Sequence, residues 1–124
     1  MPTMKAIRVH AYGGAENLVL EEVERPAIAD DEILVRVHAA GVNPVDWKIR
    51  EGYLREFLPL SLPFISGYDL SGVVEEVGPA VRGFRPGDEV FAFLDLTRPG
   101  ACAEYVAVKG DEAAIKPGTL NHAE

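Results

Sequence analysis

Few side chains in this chain have the chemistry to bind a metal or attack a substrate. The soft ligands are Cys102, His10, His38 and His122, and none stands at a CxxC, HxxxH or CxxH spacing. His10 lies two positions after Arg8, and His38 two after Arg36, on the polar faces of alternating segments, where solvated histidines are expected. Cys102, set between Ala101 and Ala103 with no histidine nearby, reads as a small packing residue. No GxGxxG or GxxxxGK[ST] loop is present to cradle a phosphate, and Ser61, Ser66 and Ser71 are not in a GxSxG elbow. What remains is polar groups in loops: Asn43 with Asp46, Tyr53 just after Gly52, and Tyr68 with Asp69 between Gly67 and Gly72. By residue type alone, helix capping accounts for Asn43 and Asp46 and turns account for the glycines; polar loop residues also carry catalysis in many proteins, so both readings stand at this point.

The elements that would position these loops follow a period of two. Ile33, Val35, Val37 and Ala39 share one face of an expected strand, with Leu34, Arg36 and His38 on the other. Similar segments recur at 4–10, 18–24, 72–77, 88–93 and 101–108. Turn residues bound them, as at Gly13-Gly14, Gly78-Pro79, Pro86-Gly87-Asp88, Pro99-Gly100 and Pro117-Gly118. Many short strands with closely spaced turns predict a mainly β sandwich or small, partly open barrel. One segment departs from this pattern. In NPVDWKIREG, Asn43 suits an N-cap, Pro44 the first helical position and Asp46 the third, so a short, partly buried helix is expected to run from Asn43 until Gly52 stops it.

Composition sets outer limits. At 124 residues the chain has room for one domain, in which roughly two-thirds of the unfolded surface becomes buried. With 48% hydrophobic and 26% charged residues it belongs with globular rather than disordered chains. The net charge of −8 disfavours binding to nucleic acid or anionic membranes. No segment has the roughly 20 apolar residues of a membrane span. A single cysteine rules out an internal disulfide, and a cytoplasmic location is expected.

Four segments together resemble a known family: MKAIRVHAYGGAENLVLEEVERP, EILVRVHAAGVNPVDWKIREG, PFISGYDLSGVVEEVGPAVRGFRPGDEVFAF and GACAEYVAV. In order and interval they are similar to the N-terminal domain of medium-chain dehydrogenases and quinone oxidoreductases, over residues 4 to about 118. The resemblance implies a GroES-like partly open β-barrel with one or two short helices, spanning 1–124. From about residue 119 it would lead toward a Rossmann domain that this chain does not contain.

The resemblance also assigns roles. Zinc alcohol dehydrogenases place a ligating Cys and His where this chain has Asn43 and Tyr68, and a proton-relaying hydroxyl where it has Val45. Neither an amide nor a neutral phenol offers zinc the thiolate and imidazole it favours, so no metal is expected. The GVNPVD start looks like that of zinc-free quinone and enoyl reductases, in which the residues matching Asn43 and Asp46 line the cofactor side of the cleft. Tyr53 is then a candidate proton donor, one residue nearer Asn43 than in enoyl reductases, and Tyr68 would fill the vacated metal pocket. The implied activity is NADPH- or NADH-dependent reduction of a quinone, enone or similar conjugated carbonyl, carried out by the full-length protein as a homodimer. The chain alone is expected to be inactive and to expose an apolar patch. The alternatives are a zinc-type alcohol dehydrogenase relative with a lost metal site and a non-enzymatic GroES-like binding module.

Overall fold

The computed structural model describes residues 3–14, 16, 18–41, 48–50, 64–65, 67–94, 100–116 and 119. These residues form eight strands: β1 (Thr3–Val9), β2 (Leu18–Glu24), β3 (Glu32–Gly41), β4 (Phe64–Ile65), β5 (Asp69–Val77), β6 (Glu89–Phe93), β7 (Tyr105–Lys109) and β8 (Ala113–Ile115). All pairings are antiparallel, in a three-stranded sheet ordered β2-β1-β4 and a five-stranded sheet ordered β7-β3-β5-β6-β8. Backbone hydrogen bonds from Ile7 N–H to Cys102 O (2.8 Å) and from Glu104 N–H to Lys5 O (3.0 Å) lace the small sheet to the approach of β7. The result is a mainly β, partly open barrel.

β3 is an interior strand of the large sheet, paired with β5 on one side and with the edge strand β7 on the other. Its β-branched residues explain why. Ile33 and Val35 are fully buried and pack in one core with Val74 of β5, Val90 of β6 and Val106 and Val108 of β7. Each such side chain contributes about 1.5–3 kcal/mol on burial. Gly72 of β5 makes the close approach possible: a Cβ there would run into the carbonyl oxygen of Arg36 and Val35 Cγ1.

Six of the eight strands lie where alternation places them. Leu34 does not keep to its expected polar face; it is buried, because register shifts between Leu34 and Val35 and between Val37 and Ala39 interrupt the two-residue period. β4 and β8, of two and three residues, are too short to show alternation at all. The segment expected to be a strand from 101 becomes one only at Tyr105, since the backbone of 100–102 turns instead to bond Ile65, Gly67 and Ile7. Of the expected helix, residues 48–50 are helical with Ile49 buried and Lys48 exposed, and the rest lies outside the described residues. Arg50 fastens this turn to the loop after β1: its carbonyl accepts from Gly13 N–H at 2.8 Å and its Nε donates to Gly13 O at 3.3 Å.

Across β1 and β2, the Glu21 carboxylate receives Arg8 Nε at 2.5 Å and His10 Nε2 at 2.6 Å. Arg8 first, then His10, holds this carboxyl below its usual range. A lowered carboxyl stabilises the fold above its unfolded-state value and loses that contribution as pH falls through the folded one. Urea titrations of wild type and Glu21→Gln are therefore expected to show the variant weaker at neutral pH, with the difference closing below about pH 4.5.

Candidate functional site

The candidate site is built at one end of the large sheet, where β3 finishes, β5 begins and β6 finishes. Pairing sets Gly41, Asp69 and Phe93 in one row across the three strands. Gly67 and Tyr68 stand immediately before β5; of the segment from Gly67 to Gly72 that the sequence suggested as a loop, Asp69 to Gly72 is strand.

Tyr68 is held from both sides. Its carbonyl accepts from Leu94 N–H at 2.7 Å, and the Gly67 carbonyl accepts from Ala101 N–H at 2.8 Å. Gly100 N–H donates to Ile65 O at 2.9 Å, so Ile65, Gly67 and Tyr68 are stitched to 100–101 and to the end of β6. Gly67 has φ +92, and a Cβ there would lie 2.9 Å from Cys102 Sγ and 3.2 Å from Cys102 N. Only glycine meets both conditions without strain. Cys102 is thus a packing residue against Gly67, and this contact was not visible in the sequence, since 35 positions separate the two residues.

The Tyr68 side chain is 1% exposed and belongs to the main core with Leu70, Leu94, Ala101 and Phe64. Its ring fills the interior at this end of the barrel. Asp69, the next residue, is only partly buried, and its carboxyl group lies over Gly41, with Oδ2 at 3.2 Å from where a Cβ would stand. Among the four site residues expected from the sequence, Tyr68 is the one the structure places. Asn43, Asp46 and Tyr53 lie outside the described residues. Gly41, which ends β3, is the described residue nearest Asn43 in the chain, and it pairs with Asp69 beside Tyr68.

The donor set can be judged by its chemistry. Among the described residues no three His, Cys, Asp or Glu side chains gather. A buried phenol in an apolar setting is a poor partner for zinc, which takes thiolate, imidazole or carboxylate. Nor, among the described residues, does a glycine loop open a helix of the length that holds a dinucleotide's phosphates.

Residues 29–118 match the alcohol dehydrogenase GroES-like domain family. The chain belongs to that family. Over 122 residues it is 40% identical to the quinone-oxidoreductase homolog, chloroplastic, of Spinacia oleracea, covering 98% of this chain and 37% of that protein. It is 41% identical over 128 residues to the NADPH-dependent alkenal/one oxidoreductase, chloroplastic, of Arabidopsis thaliana, covering 98% of this chain and 33% of that relative. The structure of the quinone oxidoreductase from Coxiella burnetii superimposes with a TM-score of 0.88 at 33% identity, over 98% of this chain and 39% of that one. The chain therefore spans little more than a third of the length of these relatives. No described helix is long and apolar enough to cross a membrane.

Gly67→Ala is expected to lower unfolding stability by about 1–3 kcal/mol, from overpacking and the left-handed backbone together. Cys102→Ala in the same chain should recover part of that loss, because it removes the nearest clashing atom. Denaturant melts of the two single variants and the double variant check this.

Proposed function

We propose that this chain is the substrate-side domain of an NAD(P)H-dependent oxidoreductase that reduces quinones, enones or similar conjugated carbonyls without zinc. The observation that supports this reading is Tyr68, a buried phenol whose backbone carbonyl is held by Leu94 N–H, at the position that the family resemblance matches to a zinc-ligating histidine. Alcohol oxidation has to stabilise a developing alkoxide, which zinc does as a Lewis acid in the zinc enzymes, whereas a conjugated acceptor needs mainly to be held against the hydride donor. The likeness to a quinone-oxidoreductase homolog and to an NADPH-dependent alkenal/one oxidoreductase supports that choice.

In this proposal the nicotinamide cofactor supplies the hydride and is bound mostly by a part of the full-length protein outside this chain. Asn43 and Asp46 fix the cofactor and ligand at the cleft while capping their helix, and Tyr53 donates a proton to the reduced substrate. Tyr68 keeps the former metal pocket filled and dry. The exposed Phe91 (46%), Phe93 (60%) and Ile115 (54%) support a surface that the remainder of the protein covers. The full-length protein is proposed to be a cytoplasmic homodimer that acts on small molecules rather than nucleic acid or membranes, and the chain by itself is proposed to be inactive.

The test is a panel of quinones, alkenals and alkenones against alcohols, with NADPH and NADH in turn, using the full-length protein. Consumption of reduced cofactor with the conjugated carbonyls, and none with the 124-residue chain alone, is the expected result. Turnover restricted to alcohols with oxidised cofactor would reject the proposal. Tyr53→Phe is expected to lower kcat about 100-fold with KM little changed.

A further inference from the structure

We propose that Glu104 is a positioning residue for Gly67 and Tyr68, a role that rests on the proposed function and that acts through the segment 101–104. This segment is where the chain crosses from the small sheet to the large one. Beside β1 it runs antiparallel: Ala6 bridges Ala103, Ile7 N–H donates to Cys102 O at 2.8 Å, and Glu104 N–H donates to Lys5 O at 3.0 Å. In a continuing ladder Lys5 N–H would return the bond to Glu104 O. That carbonyl is instead engaged by β3, where it accepts from Val37 N–H at 2.9 Å. The Glu104 carboxylate takes its place, with Oε1 accepting from Lys5 N–H at 2.5 Å. One residue thus holds a strand of each sheet, its main chain bonded to both and its side chain completing the ladder on β1.

The other end of the segment holds the site. Ala101 N–H donates to Gly67 O at 2.8 Å, and Cys102 Sγ lies 2.9 Å from where a Cβ on Gly67 would stand. Between the two ends, Ala103 N–H donates to Ala101 O at 2.8 Å, which closes 101–103 into a three-residue turn. So short a turn has little slack, and a shift at Glu104 is passed on to Gly67 and Tyr68. Lys5 and Glu104 are both exposed, so water can replace their bond when the carboxylate is removed. The loss therefore opens the seam between the sheets locally and leaves the barrel core in place.

Two readouts separate this role from plain stability. The chain's single cysteine, Cys102, stands in the seam and reports its opening without any need for turnover. Alkylation of Cys102 by iodoacetamide, followed by mass spectrometry of its peptide in the full-length protein, is expected to run about tenfold faster in Glu104→Ala than in wild type, at a rate that dilute urea leaves unchanged. Glu104→Gln, whose amide oxygen still accepts from Lys5 N–H, should label within about twofold of wild type. In the same protein Glu104→Ala should lower kcat for conjugated carbonyls about tenfold with KM little changed, and Glu104→Gln should restore most of it. Labelling of Glu104→Ala no faster than wild type would overturn the proposal, as would a Glu104→Gln variant as perturbed as Glu104→Ala. An acceleration that climbs steeply with urea would also overturn it, since that slope marks global unfolding. So would faster labelling with kcat unchanged. Absence of any conjugated-carbonyl reduction by wild type would instead reject the proposed function, with the Cys102 comparison still deciding whether Glu104 closes the seam.

Discussion

Everything at the candidate site depends on how closely β5 can approach β3. With no side chain at Gly72, the β5 backbone lies against Arg36 O and Val35 Cγ1, and Val35, Val74 and Val90 then close over one another in the core. That approach carries the start of β5 to the end of β3, where Asp69 meets Gly41 and Tyr68 drops into the interior. A larger residue at position 72 would separate the two strands and, with them, the two loops that the site requires.

A second level of constraint works through the backbone. Ile65, Gly67 and Tyr68 belong to no long strand, so their backbone polar groups have to be satisfied from elsewhere. They are met by Gly100 and Ala101 on one side and by Leu94 on the other. Apolar packing alone would fix Tyr68 only to within a rotamer, whereas backbone bonds on both sides fix the chain that bears it. The site is thus supported by rigid elements, while the chemistry is assigned to loop residues.

Much of the barrel was legible in the sequence because alternating β-branched residues and turn glycines are local signals. Ile33 and Val35 announced β3, and Pro86-Gly87-Asp88 marked the start of β6. What escaped was non-local: the bulges that bury Leu34, the two-residue β4 that exists only through its partner β1, and the contact between Gly67 and Cys102. No pattern along the chain encodes a contact whose partners are chosen by folding. At the site, residue types alone marked Tyr68 and Asp69 as polar groups in a glycine-bounded loop, but family resemblance was needed to give Tyr68 a role.

The central proposal is that the cleft works without a metal, because the family resemblance matches a phenol, Tyr68, and an amide, Asn43, to positions of an imidazole and a thiolate in zinc enzymes. Metal analysis by mass spectrometry, on the full-length protein taken through turnover before and after chelation, tests it most directly. The account predicts zinc far below one ion per chain and a reaction rate that chelation leaves unchanged. Stoichiometric zinc whose removal abolishes turnover, and whose return restores it, would contradict the account.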